Sequence, residues 1–189
     1  MTMDAMELLL SRRSLGKLGA PAPEGEALDR MLRVALRAPD HGALRPWRVL
    51  LIRGEARARF GEVMAESLKR RKPDVSDDDL ARERDKAQRA PLLVIVAASY
   101  KASTKNIPEV EQLLSAGCVA YGLEIAAQAE GFGAIWKTGD AVYDRGVHER
   151  LGLGASDHIV GVLYVGTPTM VPPDGARPDV ASIVSAWEG

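Results

Sequence analysis

The sequence predicts one domain that mixes α-helix with β-strand, and three observations lead to that class. The chain has 189 residues, of which 46% are hydrophobic and 27% charged, an ordinary globular composition that can bury a core. Residues 92–98, LLVIVAA, are typical of a strand that is apolar on both faces. Residues 109–130 are typical of a helix with almost no polar face after its first turn. We therefore expect residues 1–189 to form a single domain containing both kinds of element.

Charge, cysteine content and the N-terminal residues exclude several classes of protein. The formal net charge of −1 argues against nucleic-acid binding, because phosphate contacts need a basic excess. A single cysteine, Cys118, excludes an intramolecular disulfide framework and fits a reducing cytoplasm. Asp4 and Glu7 interrupt the first apolar residues, so no signal peptide is predicted. Glu124 interrupts the best candidate for a membrane span, so we expect no membrane association and a cytoplasmic location.

The first half of the chain shows helical periodicity around one strand. Helices are predicted over residues 3–11, 24–37 and 55–70, and a mostly buried strand over 47–52. Pro39 ends the second helix, because its ring cannot continue the hydrogen-bond pattern and it restricts the residue before it. Ser76 and the three aspartates after it resemble a helix start. The rest of the charged segment 69–90 is interpreted as a solvated face with no assigned chemistry.

The apolar helix predicted over residues 109–130 has two interpretations. A helix that is apolar all round must be buried all round. Either a partner subunit covers the face that the domain cannot, or the helix is the centre of a monomer, with Cys118 as a small buried hydrophobe. Gly131 ends this helix, and the remaining elements are predicted as a strand over 132–136, a helix over 141–151 and a strand over 159–165. A proline-rich tail that carries Trp187 is expected to wrap a surface.

Three separated basic clusters are the candidate functional residues. They are Arg12-Arg13-Ser14, Arg37 to His41 in the loop before Trp47, and Trp136-Lys137-Thr138. Guanidinium, ammonium and hydroxyl groups suit a phosphate and a polar chain, and an aromatic side chain suits a flat ring. Each cluster also has a structural interpretation. The arginines could have no role beyond a favourable interaction with the C-terminal ends of helices, and His41 could be an ordinary turn residue.

The common catalytic motifs do not fit this sequence. A phosphate-binding P-loop fails over residues 131–138, because Trp136 occupies the position of the second glycine and the elements come in the wrong order. The same glycines lack the third position of a dinucleotide fingerprint. The three histidines have no metal-ligand spacing, and no nucleophile or carboxylate pair stands out. An enzyme of this kind takes its chemistry from a cofactor.

An ordered set of short motifs resembles the FMN-dependent nitroreductase family, most closely its small bacterial YdjA-type branch. The set spans nearly the whole chain and comprises Arg12-Arg13-Ser14, Arg37-Ala38-Pro39-Asp40-His41 with Pro46-Trp47, Ser115-Ala116-Gly117-Cys118, Gly131-Phe132-Gly133 with Ile135-Trp136, and Ile159-Val160-Gly161 with Gly166-Thr167-Pro168. The resemblance implies an α+β fold with a central, mainly antiparallel sheet flanked by helices, assembled as an intertwined homodimer with FMN at the interface.

The resemblance also implies the roles of individual residues. Arg12, Arg13 and Ser14 are expected to bind FMN at its phosphate and ribityl end, and Trp136, Lys137 and Thr138 to line the flavin from the same subunit. Arg37 and His41 are expected to reach that FMN from the partner subunit. The segment comprising Ala126, Ala127, Gln128, Ala129, Glu130 and Gly131 matches a stretch associated with NAD(P)H. Lys137-Thr138 departs from relatives that carry arginine and serine, so the charge is kept but the fork geometry is lost.

The expected activity is electron transfer through FMN. NADH or NADPH would supply a hydride in one half-reaction, and a nitroaromatic, quinone or related acceptor would take it in the other. Two alternatives stay open from the sequence. One is a flavin enzyme of the same fold with a different reaction, such as a dehydrogenase or a flavin-consuming enzyme. The other is a non-catalytic flavin-binding dimer.

Overall fold

The protein is an antiparallel β-sheet with helices packed against both faces. The structure, a computed structural model, describes residues 4–102 and 105–189, so Met3 of the first predicted helix lies outside the described residues. The helices are α1 (Ala5–Ser11), α2 (Gly25–Ala35), α3 (Ala56–Arg71), α4 (Asp77–Asp85), α5 (Glu109–Ala129), α6 (Asp140–Tyr143) and α7 (Arg145–Arg150). The strands are β1 (Leu18–Gly19), β2 (Trp47–Arg53), β3 (Leu92–Ala98), β4 (Gly133–Lys137) and β5 (His158–Pro168).

Strand β5 organises the sheet, because it pairs with three others. It runs antiparallel to β3, to β4 and, through its last residues, to β1, while β2 pairs only with β3. Gly161 and Gly166 of β5 could not carry a side chain without movement of their neighbours, and at Gly161 an added Cβ would overlap the Trp136 indole on β4. Trp136 pairs with Leu163 in the register, and its indole lies against Gly161 farther along β5.

The two faces of the sheet carry separate hydrophobic cores, and β3 contributes to both by simple alternation. Leu93, Ile95 and Ala97 point to the core beneath α3, α6 and α7. Leu92, Val94 and Val96 point to the core beneath α2 and α5. All six side chains are fully buried, which explains why the sequence of β3 shows no polar alternation.

The predicted bounds of helix α5 are confirmed to within one residue. Gly131, just beyond the helix, has a φ of 81°, which ends the helix as predicted. Its sheet-facing side, including Val119 and Leu123, is buried. Val110 and Leu114 on the other side are 59% and 65% exposed, so the interpretation of α5 as the buried centre of a monomer is wrong. Coverage by a partner subunit stays a prediction. Cys118 is also exposed, not a buried hydrophobe as expected. The outward face of α5 is therefore apolar and uncovered in one protomer.

Other differences from the prediction have local causes. Helix α2 ends at Ala35, two residues before the predicted end. Its last carbonyls accept hydrogen bonds from the N–H groups of Arg37 and Ala38, which form a turn. The helix predicted over 141–151 is two short helices, because the Asp144 side chain accepts a hydrogen bond from the Gly146 amide and starts a new helix. Strand β1 was missed. In the part of the chain that the structure describes, no helix is long and apolar enough to cross a lipid bilayer.

Candidate functional site

A buried carboxylate joins two of the predicted basic clusters. Glu124 lies on the sheet-facing side of α5 and is 7% exposed. Its Oε1 accepts a hydrogen bond of 3.1 Å from the backbone N–H of Trp136. Its Oε2 lies 3.8 Å from Nη1 of Arg12, which follows α1 directly. The end of α1 and the edge strand β4 are therefore held to the same side chain of α5.

Burial has a measurable effect on this carboxylate. It raises the pKa of the Glu124 carboxyl above its ordinary value, while the Arg12 guanidinium and the Trp136 N–H act in the opposite direction. Arg12 in turn keeps about a quarter of its side chain exposed, so its guanidinium is still accessible to a ligand. The arrangement fixes the position of a guanidinium without burying it.

The C-terminal tail contacts the same stretch. Nη1 of Arg13 donates a 2.8 Å hydrogen bond to the carbonyl of Pro172. Nη2 of Arg177 donates one of 2.8 Å to the carbonyl of Arg12. Ser14 is exposed between these contacts. Three guanidinium groups thus surround one short stretch of backbone, and Asp174 of the tail lies 3.9 Å from Arg13 and 3.6 Å from Arg177. Arg12 is the guanidinium of the three that is left for a phosphate without competition from the tail.

Lys137 and Thr138 lie on the other side of the sheet edge. Trp136 packs toward the α2–α5 core, and its indole Nε1 donates to the carbonyl of Val160 at 3.2 Å. Lys137 and Thr138 line a cavity of about 430 Å³ beneath α3 and α6. Residues 15–18, which follow the Arg12-Arg13-Ser14 cluster, run along the edge strand β4. There the Leu15 N–H donates to the carbonyl of Ala134.

The second predicted cluster lies in a sharply turned loop. Arg45 has a φ of 49°, unusual for a residue with a side chain, and the Asp40 carboxylate stabilises this turn by accepting the Arg45 N–H at 2.7 Å. His41 Nδ1 lies 2.7 Å from a carboxylate oxygen of Glu111 near the start of α5. Arg37 is exposed.

The loop cluster and the Arg12–Trp136 cluster do not meet within one chain. Glu111 contacts the loop cluster, and Glu124 contacts the Arg12–Trp136 cluster. These two residues are thirteen positions apart on α5, or about 20 Å at 1.5 Å per residue. The structure therefore brings Arg12 and Trp136 together near Glu124, while His41 lies beside the other end of α5.

The residues predicted to contact NAD(P)H have structural partners. Ala126 and Ala127 belong to the buried core, and Gln128 Nε2 donates to Ser11 Oγ of α1 at 2.8 Å. Glu130 accepts two hydrogen bonds from Arg30 of α2. Gly131 and Ala129 are exposed. A nicotinamide contact at this segment stays a prediction.

Sequence reasoning missed Glu124, Arg177, Arg89 and Tyr164, the last two of which line the same cavity as Lys137. A charged residue in an otherwise apolar helix was a usable signal for Glu124, because an unpaired charge is rarely buried. No sequence signal marked the other three, since their contacts depend on how distant segments pack.

The fold and these clusters define a class: an α+β protein that presents basic side chains on both sides of a sheet edge, next to a cavity. Within that class the chain belongs to the nitroreductase family, whose family model, described as "Nitroreductase family", matches residues 9–167.

Comparison with known proteins supports the assignment to this family. The chain is 42% identical over 168 residues to "Putative NAD(P)H nitroreductase YdjA" of Escherichia coli strain K12, covering 89% of this chain and 90% of the relative. A nitroreductase-like family protein from Bacillus cereus has the same fold with a TM-score of 0.84 at 22% identity, covering 100% and 98% of the two chains. A mutant of the FMN- and NADPH-dependent nitroreductase NfnB from Sphigopyxis sp. strain HMH gives a TM-score of 0.76 at 19% identity, covering 99% and 100%.

Proposed function

We propose that this protein is an FMN-dependent oxidoreductase that uses NADH or NADPH to reduce nitroaromatic, quinone or related acceptors. The observation that carries the proposal is the joining of Arg12 and Trp136 by Glu124, next to Arg13, Ser14 and Arg177. Family membership and the relative named as an NAD(P)H nitroreductase support the activity, and the name of NfnB supports FMN as the cofactor.

The residues present fit FMN. Arg12, Arg13 and Ser14 would hold its phosphate and ribityl chain, because accessible guanidinium and hydroxyl groups surround that stretch. Lys137 makes no salt bridge with any carboxylate in residues 4–102 and 105–189, so its charge is available to the negative edge of a reduced ring. When bound, FMN supplies hydride transfer from NAD(P)H to the acceptor. Thr138 would line the ring from the cavity side, and Trp136 would border it from the other side of the sheet edge.

The complete site needs two copies of the chain. Arg37 and His41 are about 20 Å along α5 from the Arg12 cluster, so they would serve the FMN of the partner subunit. The exposed apolar face of α5 supports a homodimer, since a face of this kind is normally covered. The exposed tail with Trp187 would wrap that partner.

Three further assignments belong to this proposal. Residues 126–131 are assigned to the NAD(P)H side of the reaction, with Gln128 and Glu130 as their polar members. The lone cysteine supports a cytoplasmic location. Residues 1–189 act as one domain, which the family match over 9–167 supports.

Purified protein is expected to be yellow and to oxidise NADH or NADPH when an acceptor is present. Replacing Arg12→Ala removes a guanidinium from the phosphate end and should lower FMN affinity at least about tenfold, since charge-assisted hydrogen bonds contribute about 1.5–3 kcal/mol. Affinity is measured by quenching of FMN fluorescence.

The matched control is Arg59→Ala, which removes an exposed arginine of α3 that pairs with Glu55 at 3.8 Å. Its FMN affinity should equal that of the wild type. Protein that stays colourless in excess FMN would contradict the proposal. Bound flavin that neither nicotinamide reduces under anaerobic conditions would instead favour a non-catalytic flavin-binding dimer.

A further inference from the structure

Two cavities meet beside Lys137. The first, of about 430 Å³, has an apolar wall that includes Phe60, Met64 and Ile159. The second, of about 460 Å³, is bordered by Lys17 and its neighbours. Arg89, Lys137 and Tyr164 line both cavities, and we refer to these three residues as the neck. The apolar wall is one part of a lining that also holds seven charged side chains. Volumes of this size are typical of small-molecule sites.

The lining of the first cavity has more cations than carboxylates: five lysines and arginines, against Glu83 and Asp140. Two of these cations are paired, since Lys86 bonds Glu83 at 2.6 Å and Arg71 bonds Asp140 at 2.8 Å. By contrast, Arg89 and Lys137 make no salt bridge with any carboxylate that the structure describes. Uncompensated cations in a cleft with apolar walls attract an anion more strongly than they would on an open surface.

Tyr164 adds a hydrogen-bond donor at the same point. Its side chain belongs to the core beneath α3, and the residue is only 5% exposed, yet it borders both cavities. Its hydroxyl makes no hydrogen bond to residues 4–102 and 105–189, and the oxygen itself is not buried, so a ligand in the cavity can reach it. Burial raises the pKa of the Tyr164 phenol; the nearby Arg89 lowers it and the nearby Glu83 raises it. The phenol is therefore neutral at physiological pH and can donate.

We propose that Arg89 and Tyr164 of the neck recognise the carboxylate of an aromatic acid, whose ring lies on the apolar wall of the first cavity and serves as the electron acceptor, while Lys137 serves the flavin. A carboxylate can accept hydrogen bonds from Arg89 and Tyr164 together. This inference rests on the proposed function, because the shared lining residue Lys137 places the acid beside the FMN site. For a nitrobenzoate, NAD(P)H and one proton reduce the nitro group to nitroso and release water.

Direct binding tests this assignment without turnover. FMN-loaded protein is titrated calorimetrically with 4-nitrobenzoate and with its neutral isostere 4-nitrobenzamide. The carboxylate should bind at least about tenfold more tightly, because hydrogen bonds to charged groups are worth about 1.5–3 kcal/mol. Arg89→Gln should remove most of that preference. Tyr164→Phe, which keeps the ring in the core, should reduce it about fivefold.

Arg84→Gln is the matched control. Arg84 lies in α4, pairs with Glu62 at 2.8 Å and does not line either cavity, so its loss changes net charge equally without touching the neck. This variant should keep the full preference for the carboxylate.

Three outcomes would overturn the inference: equal affinity for the two probes, an equal loss of preference in Arg84→Gln, or a parallel loss of FMN affinity in Arg89→Gln. The last would place the flavin itself at the neck. Carboxylate binding as expected, in protein that oxidises neither NADH nor NADPH, would support recognition of the acid at the neck but contradict the proposed function and the role of the acid as electron acceptor.

Discussion

Glu124 shows how a single residue sets the geometry of the site. A carboxylate on an apolar helix is costly to bury unless it is paired and hydrogen-bonded. Here one oxygen accepts the Trp136 N–H and the other lies near Arg12, so two segments distant in sequence take fixed positions around it. Glu124 would be a positioning residue for the proposed FMN site, because it contacts the proposed binding residues Arg12 and Trp136.

The pH dependence of stability should report on Glu124. Burial raises the pKa of its carboxyl from the usual 4.5, so between the two values the folded protein binds more protons than the unfolded chain. The free energy of unfolding contributed by this group therefore falls as pH rises through that range. Glu124→Gln cannot titrate, so its stability relative to wild type should increase as the pH rises above about 4.5.

Urea unfolding of both proteins across this range measures the difference. Glu62→Gln is the control, because Glu62 is an exposed partner of Arg84. A stability difference between wild type and Glu124→Gln that stays constant or shrinks with rising pH would show that the carboxyl is not buried in this way.

At the scale of elements, α1 depends on α5 for its position. Helix α1 has no buried residue of its own. Gln128 holds it by donating to Ser11 Oγ at 2.8 Å and to the Leu8 carbonyl at 3.4 Å. Since Arg12 follows α1 directly, the placement of the proposed phosphate-binding residues depends on this side chain.

Replacing Gln128→Leu should therefore loosen α1. Loss of these hydrogen bonds costs about 1 kcal/mol, which corresponds to about fivefold faster amide exchange in α1, measured by hydrogen exchange with mass spectrometry. Glu130→Gln is the control, because its partner Arg30 lies on α2 and exchange in α1 should not change. Unchanged exchange in Gln128→Leu would contradict the role. The KM of both variants for NADH separately tests the predicted nicotinamide contact.

At the scale of the molecule, one protomer leaves an apolar surface exposed to solvent. Val110, Leu114 and Tyr121 are between 45% and 65% exposed along α5. In the tail, Trp187 is 91% exposed. Such a surface is unusual for a protein that stays monomeric.

A charge on this surface should separate the proposed dimer. Leu114→Glu places a carboxylate in an interface that would otherwise be apolar, and burying an unpaired charge there is strongly unfavourable. Sedimentation velocity should show a monomer, and FMN affinity should fall because Arg37 and His41 of the partner are lost. Ala58→Glu adds the same charge to an exposed position of α3 and should remain dimeric. A Leu114→Glu protein that sediments like wild type would exclude this face as the interface.

Most elements could be predicted because their signals are local. Strand β3 has its predicted bounds since seven consecutive apolar residues can only be buried on both faces, and Ser76 caps α4 through the Asp79 amide as its position before three aspartates indicated. The break at Asp144 was missed, because a side-chain cap inside an apparently continuous helix leaves the hydrophobic spacing unchanged. Family motifs supplied the antiparallel arrangement, which spacing alone did not.

The sequence by itself determined the two-sided core strand, the apolar helix and the three basic clusters, because periodicity and residue chemistry are properties of neighbouring positions. Only the tertiary structure decided which clusters meet. Glu124 joins Arg12 to Trp136 across more than a hundred residues, Gly161 makes room for the indole, and Arg89 and Tyr164 join Lys137 at the neck. These contacts depend on how α5 packs against the edge strand β4. The local sequence carries no information about which distant segments come into contact.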